Sequence, residues 1–540
     1  MNEKQINTLD KEIVFWGTGN VCRQCLSEHP EVMPSFFIDS FSNQRYINGR
    51  KVKHPEEIVD WTNYFVVITI VEFESIEEIL EEKKLKRNIN FCDYKTFFEN
   101  EHVTTQESIS KIRNYITSGK DKPVILVVAP IFIARNTGVL VNFFKSYFKM
   151  HQQYKFVIIS ELGSISPENA SRKLETIVFE APQVCKWNGI GNRILSSRLS
   201  DKTNLTQEDE KVIQEIENFK LQDDKDISYK NTREMYCYLI KIIHLLNPQK
   251  LIIWGKWARI SYILEHLAIK ENISYGFMEH GWLPGTIQFD SGGIAGQSIY
   301  AMHPERVNKI QITEEDLKKI EIIKKYILSK RMDTGIFFDT VEDREALNSI
   351  MGTRKTVFLV GMDERGMAIA PNSKHWKKYV SSVFSSMDDV LGKLLIICQK
   401  RGWNIIYKPH PGNCLVNLKR NIKNNAIVVK DKNIDELIEM SDVVISMSSA
   451  VEYKALMYGK PLVQVGITGL NKMGCTYSID KKEDLENMIS KAIVYGMTDE
   501  QKNNYNMFLA RLLKGYLWDD LSERKLRYGL NFKTDFLYSK

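Results

Sequence analysis

Three short stretches of this sequence combine residue types that can hold an anion and move a proton. The first is Lys408-Pro409-His410-Pro411-Gly412. Its prolines fix φ and remove backbone donors, so the loop is stiff and His410 is held in one direction. An imidazole held in this way can donate to a phosphate or ribose oxygen, and Lys408 adds a compact positive charge beside it. Other His-Pro pairs start at His29, His54 and His303. The first two sit in turn-like contexts with no site around them. Only His410 directly follows a buried-strand pattern in a sheet with a second polar loop downstream.

The second stretch is Ser446-Met447-Ser448-Ser449-Ala450-Val451-Glu452. Ser448 or Ser449 is placed to cap the helix that follows. The same geometry aims free amides and two hydroxyls at an anion, which makes a phosphate seat without a glycine loop. Glu452, one turn on, either caps back or accepts from a ribose hydroxyl. The third stretch runs from Phe277 to Thr286 and contains Glu279-His280-Gly281, with Asp290-Ser291-Gly292-Gly293 after it. It reads as a glycine-rich loop following a strand that ends at Gly276, a composition suited to an active-site wall. Glu279 and His280 are both competent general bases after modest pKa tuning. The alternative is a satisfied loop histidine beside a solvated glutamate.

The elements that must carry these loops are legible as runs of apolar residues. Val124–Pro130, Phe156–Ser160 and Lys250–Trp254 read as strands buried on both faces, with a helical pattern at Gly138–Met150. Residues 201–245 are charged and helical, and are expected to form a solvated layer. A further α/β series comprises strands at Thr356–Val360, Trp403–Tyr407, Ala426–Val429, Asp442–Ser446 and Pro461–Val465, with a helix running to Arg401. The acidic pair Asp388-Asp389 falls inside that helix and reads as surface charge. Open α/β sheets bind ligands at the carboxyl ends of their strands, where the histidine and serine loops both lie.

The first hundred residues form a smaller unit of the same kind. Glu12–Trp16 enters Gly17-Thr18-Gly19 and then a helix, the opening of a Rossmann-like βαβ unit. A second apolar run ends at Asp39, where an acidic residue can meet a ribose hydroxyl. Cys22 stands where the dinucleotide fingerprint needs its third small residue. Gly17, Gly19 and Asp39 therefore fit either a site for NAD or another nucleotide, or a turn in a non-binding or sugar-binding domain. Cys22 and Cys25 have CxxC spacing without a second pair nearby, and are expected to lie buried on the first helix. The expected domains are residues 1–118, 119–345, 346–505 and a returning C-terminal helical segment, 506–540.

Composition narrows the class. Hydrophobic residues make up 43% and charged residues 26% of 540, an ordinary globular mixture. Seventy-four basic against 68 acidic residues give +6, too weak a charge for a dedicated nucleic-acid binder. Eight cysteines are too dilute for a disulfide scaffold. The N-terminus lacks the pattern of a secretory signal, and the longest apolar stretch, residues 123–134, falls short of the ~20 residues of a membrane helix. A cytoplasmic protein is the expectation.

Glu279-His280-Gly281, His410-Pro411 and Ser448-Ser449, in this order, resemble the motifs of GT-B glycosyltransferases that use CMP-activated acidic sugars, a group including bacterial sialyltransferases and capsule Kdo transferases. The resemblance covers residues 120–515. It implies an α/β fold of two facing Rossmann-like domains. His410 and the serines would hold the CMP phosphate and ribose, and the acidic motif would supply the base for an acceptor hydroxyl on a lipid-linked or oligosaccharide glycan of capsule or lipopolysaccharide. Where His280 stands, sialyltransferases of this type usually carry a second acidic residue, so either Glu279 or His280 takes the base role. The resemblance implies no metal and no cofactor beyond the nucleotide donor, because a CMP donor has a single phosphate and a good leaving group. The segment 1–118 is similar to the small Rossmann-like domain often attached to polysaccharide-assembly enzymes. The C-terminal half is also similar to teichoic-acid glycerol- and ribitol-phosphate transferases, which share the Lys-x-His-Pro and Ser-Ser loops and use CDP-polyols. A non-catalytic nucleotide-sugar-binding component of a polysaccharide assembly complex is the third reading.

Such acceptors are membrane-linked. Residues 507–540 interleave aromatic residues with Arg511, Lys514, Arg524, Lys525, Arg527 and Lys533. This segment either docks peripherally at the inner face of the cytoplasmic membrane or packs back on the acceptor half.

Overall fold

A computed structural model describes residues 11–28, 32–42, 45–70, 73–87, 89–94, 97, 113–115, 122–129, 138–160, 167–186, 194–195, 203–221, 224–329, 347–348, 352, 354–410, 426–429 and 432–519. The chain divides into two compact units, Met1–Pro123 with Ala129–Ala181, and Val124–Val128 with Pro182–Lys540.

The first unit holds a six-stranded sheet in the order β3-β4-β2-β1-β5-β6. Its strands are β1 (Glu12–Trp16), β2 (Phe37–Ile38), β3 (Tyr46–Ile47), β4 (Arg50–Lys53), β5 (Tyr64–Ile68) and β6 (Phe91–Asp93), with helices α1 (Asn20–Glu28) and α2 (Glu74–Glu82). All neighbours are parallel except the β3–β4 hairpin. That hairpin was not legible because its strands are short, charged and mostly exposed. Val14, Phe15, Val66, Val67 and Ile68 are fully buried, as a two-faced central sheet requires. Cys22 and Cys25 are buried free thiols on α1, as expected. The unit also contains α3 (Gly138–Met150), β8 (Lys155–Ser160), α4 (Pro167–Leu174) and β9 (Ile177–Glu180), with β8 and β9 parallel.

The second unit contains two sheets. In the first, β7 (Val124–Val128), β10 (Lys250–Trp254) and β11 (Ser274–His280) are parallel, while β12 (Thr286–Asp290) and β19 (Leu517–Asp519) extend it antiparallel. The second sheet is parallel throughout, in the order β15-β14-β13-β16-β17-β18. Its strands are β13 (Thr356–Val360), β14 (Asn404–Lys408), β15 (Ala426–Val428), β16 (Val443–Ser446), β17 (Leu462–Gln464) and β18 (Tyr477–Ser478). The α/β class and the two Rossmann-like sheets of a GT-B chain are present. Burying each of the aliphatic side chains in β13 and β16 stabilises the sheet by ~1.5–3 kcal/mol.

Two expectations need correction. Residues 277–280 are the end of strand β11, not a loop, and residues 286–290 are a strand rather than part of an irregular wall. Glycine, glutamate and histidine have little strand preference, but β11 is paired on both sides, Trp254 opposite Met278 and Gln288 opposite Glu279, so tertiary hydrogen bonding overrides propensity. Residues 201–245 include α5 (Gln207–Phe219) and α6 (Lys225–Leu246), and their charges are not all solvated. Glu217 is buried against fully buried Arg259 and accepts from Thr232 Oγ1 at 2.7 Å. Asp209, 1% exposed, takes Lys270 Nζ at 2.7 Å. Arg259 and Lys270 both come from α7 (Arg259–Lys270), far along the chain.

Six further helices lie along or beside the second sheet. They are α8 (Glu314–Ser329), α9 (Met387–Arg401), α10 (Ile434–Met440), α11 (Val451–Met457), α12 (Asp484–Tyr495) and α13 (Asp499–Gly515). Ser386 caps α9 by accepting from Asp389 N at 3.0 Å, and Gly402, at φ +69°, ends it. After α13 the chain enters β19, which pairs with β12 of the other sheet. Phe508, Leu512, Leu513 and Leu517 are buried in the shared core on the way.

Candidate functional site

The second sheet places its loops by register. Lys408 lies opposite Val360, Val360 opposite Ser446, and Ser446 opposite Gln464, a row across the carboxyl ends of four adjacent parallel strands. Neighbouring strands lie ~4.8 Å apart, so the histidine and serine loops emerge ~10 Å from each other with the 361–366 loop between them. The backbone there is tightly drawn together. Gly361 N donates to Lys408 O at 2.8 Å, and a Cβ at Gly361 would lie 2.5 Å from His410 N. A Cβ at Gly466 would collide with Met447 O. Bare backbone at both positions lets the three loops approach this closely.

His410 and Lys408 are half-buried at the edge. Pro411 and Gly412 lie outside the described residues. In the serine loop, Ser449 Oγ accepts from Val451 N at 3.3 Å, the first amide of the helix, and a second brace joins it. Ala450 is the N-cap of α11 and supplies no side-chain bond. Glu452 reaches back, its Oε1 accepting from Ser446 Oγ at 2.8 Å and Ser449 N at 3.2 Å. Glu452 is fully buried, and burial pushes its carboxyl up to about 7. It braces the loop from behind, while Ser448 and Ser449 remain half-buried at the surface.

The first sheet contributes Glu279 at the carboxyl end of β11. Its Oε1 accepts from His280 N at 2.9 Å, and a Cβ at Gly255 would lie 3.3 Å from its Oε2. Gly255 has φ +62°, so the turn after β10 leaves this carboxylate unobstructed. Glu279 keeps partial solvent contact, yet burial pushes its carboxyl up to about 8. The His280 ring stands edge-on to Trp254 at 5.2 Å. Asp290 is buried too and held up at about 6, but it is a structural anchor. It accepts from Gly292 N at 2.6 Å, Ile299 N at 2.9 Å and Tyr516 Oη at 3.0 Å.

The two edges meet through backbone contacts. A Cβ at Gly296 would collide with Tyr379 O and approach Ile467 O at 2.9 Å, and one at Gly469 would strike the Trp282 ring. Ile294, which packs near Gly255, thus leads to the 466–469 loop and on to Met447 in the serine loop. Glu279 and Ser446–Ser449 are accordingly linked by a relay of close contacts within the same unit. On its flank, Lys220 Nζ donates to Trp257 O and Met367 O, which follow strands of different sheets. His375 stacks on Phe219 at 3.7 Å, and burial with Lys220, Lys256 and Lys378 pushes it down to about 4. Sequence reading missed this basic flank, since isolated lysines carry no spacing signal. Among the described residues no three His, Cys, Asp or Glu groups gather as a metal site.

Gly17, Gly19 and Asp39 lie in the other unit. Gly17 has φ +113°, and a Cβ there would lie 3.0 Å from Thr69 O, so close packing of β1 against β5 requires a glycine. Asp39 accepts from Thr18 N at 3.0 Å with one oxygen, and from Phe41 N and Ser42 N at 2.8 and 2.9 Å with the other. Both oxygens thus pin the turn.

No protein-family model matches the sequence, and no curated protein matches it. Solved structures that resemble it include the beta Kdo 2,7 transferase KpsC of Thermosulfurimonas dismutans, at 16% identity over 53% of this chain and 82% of that one, with a TM-score of 0.34. The UDP-GlcNAc 2-epimerase of Methanocaldococcus jannaschii matches at 12% identity over 72% and 99%, with a TM-score of 0.33. The glycotransferase of kitacinnamycin matches at 10% over 75% and 100%, with a TM-score of 0.30. At these identities and TM-scores no residue role follows from the likeness.

Proposed function

We propose that the chain is a glycosyltransferase that moves an acidic sugar, Kdo, sialic acid or a related ulosonic acid, from a CMP donor to a hydroxyl of a cell-surface glycan. One observation carries this reading. The row of Lys408, Val360 and Ser446 sets a cationic loop and a hydroxyl-and-amide loop two strands apart on one sheet edge, and Glu279 lies at the carboxyl end of β11 in the other sheet of the same unit. Lys408, His410, Ser448 and Ser449 then hold the donor phosphate, with Glu452 bracing the seat. Glu279 acts as the base. A desolvated carboxylate is a stronger base than an ordinary one, and its raised pKa suits proton transfer near neutral pH. The acceptor oxygen gives its proton to Glu279 and bonds to the anomeric carbon. The bond from that carbon to the phosphate oxygen breaks, and CMP leaves with its charge facing His410 and Lys408.

The test is a thermal-shift comparison of CMP, CDP, UDP and NAD, followed by product analysis with CMP-Kdo, CMP-sialic acid and CMP-pseudaminic acid. At a ligand concentration of 100 Kd, stabilisation reaches about 2.7 kcal/mol, a readable shift. A CMP-selective shift with sugar transfer supports the proposal. A CDP-selective shift with transfer of a polyol phosphate moves the assignment to a teichoic-acid-type phosphotransferase, and no shift with any nucleotide overturns the donor site.

A further inference from the structure

Trp282 follows Glu279 by three positions, at the tip of the β11–β12 hairpin. The ring lies against Tyr453 at 5.6 Å and 15°, against Phe508 at 6.4 Å and 17°, and against Tyr516 at 5.3 Å. Tyr453 belongs to α11, Phe508 to α13, and Tyr516 leads into β19. Two segments remote in sequence from the hairpin, α11 and the stretch from α13 into β19, therefore meet on one indole, which is only 8% exposed.

The surroundings fix the ring's position. Gly469 presents bare backbone to the indole, and any side chain there would overlap it. Gly281 N donates to Thr286 O at 2.7 Å, Thr286 Oγ1 donates to Leu283 O at 2.6 Å, and a Cβ at Gly281 would overlap Thr286. The hairpin tip is thus closed on itself and plugged into the core beneath the second sheet, with Leu283 only 2% exposed. On the other side of the stack, Tyr453 directly follows Glu452, the carboxylate that holds Ser446 Oγ and Ser449 N. A short path runs along the backbone from Glu279 to Trp282, across the stack to Tyr453, and along the backbone to Glu452 and the serine loop.

We infer that Trp282 is a positioning residue, setting the place of Glu279 relative to the serine loop through its stack on Tyr453. This rests on the transferase reading above. Trp282 touches neither donor nor reacting atoms in this role. It acts by holding the hairpin that carries the base.

The experiment compares Trp282→Ala, Trp282→Phe and Trp282→Leu in the full chain, measuring CMP affinity, kcat and the pH profile of kcat. Displacing a catalytic group by about 1 Å costs on the order of 100-fold in rate. Trp282→Ala is therefore expected to lower kcat by roughly that factor while CMP affinity stays within about threefold. Its turnover should also begin to rise at lower pH, because water reaches Glu279. Trp282→Phe keeps a ring face toward Tyr453 and should recover most of the rate, whereas Trp282→Leu should not. Equal losses of kcat and CMP affinity overturn the inference, as does an unchanged kcat in the folded alanine variant. If the alanine variant does not fold, the phenylalanine and leucine variants decide, and equal kcat for the two overturns it. A wild-type chain that binds CMP yet transfers no sugar overturns the transferase reading, and the inference with it.

Discussion

At the scale of single residues, two side chains carry distinct and separable expectations. His410 stands half-exposed at the edge of the second sheet, so its removal leaves the core intact. His410→Ala is expected to fold normally and to lose about 30–150-fold in turnover, the worth of one charge-assisted contact. Near-wild-type turnover in a folded variant would remove it from the donor site. Glu279 must be ionised to accept a proton, so turnover should climb with pH through about 8. Glu279→Gln should cost about 100-fold or more and leave CMP affinity nearly unchanged. The same raised pKa has a consequence for stability. Between about 4.5 and about 8 the folded chain keeps a proton on Glu279 that the unfolded chain releases. This contribution is fully present below pH 4.5 and is lost as pH rises through 8. Glu279→Gln lacks the titration, so its melting temperature should gain on that of the wild type as pH rises from 5 to 9. Melting curves that shift in parallel would show that Glu279 ionises freely.

At the scale of elements, the loops depend on backbone closeness more than on side-chain bonds. Gly466 faces Met447 O, with no space for a methyl group, whereas Gly402 ends α9 in open space at φ +69°. Gly466→Ala must push the serine loop away from β17. CMP affinity should fall at least tenfold, on the order of 1.4 kcal/mol. Gly402→Ala should cost about 1 kcal/mol of stability from its left-handed backbone and leave CMP binding alone. If both variants bind CMP equally well, the serine loop is not the seat of the phosphate. Five of the six strands of the second sheet were legible to within a residue or two, because runs such as Thr356–Val360 are buried on both faces and nearly all apolar; β18, two partly exposed residues at the sheet edge, was not. The hairpin β11–β12 was not, because Glu279, His280 and Gln288 become strand residues only through the partners on either side.

At the scale of the whole molecule, the C-terminal segment divides. Its described apolar residues, Phe508, Leu512, Leu513 and Leu517, are spent on the core. Its described cations are paired, Lys514 with Asp316 at 2.8 Å and Arg511 with Asn308 at 2.8 Å. Among the described residues no helix is long and apolar enough to cross a membrane. Attachment to anionic vesicles, if it follows the acceptor, must draw on Arg524, Lys525, Arg527 and Lys533. We expect the chain to sediment with such vesicles at low salt and to be released as ionic strength rises. Replacing those four residues by glutamine should abolish sedimentation, while Lys514→Gln should only lower the melting temperature. Failure of the intact chain to sediment at low salt would end the membrane-surface reading.

The sequence by itself determined the class of fold and the identity of the loops. Buried parallel strands must be apolar on both faces, and stiff or capping residues at their ends stand out against that background, as Lys408-Pro409-His410 and Ser448-Ser449 do. Spacing along the chain could not reveal which groups share a locality, because that depends on strand order and register. Strand β13 lies between β14 and β16, and that order alone sets Lys408 and Ser446 two strands apart. Only the tertiary structure made Glu452 a buried brace, turned one Asp39 oxygen onto its own loop and the other onto Thr18, buried the Glu279 carboxyl, and brought Trp282 against Tyr453. Each of these outcomes is a matter of burial and contact between residues distant in sequence, which no local pattern encodes.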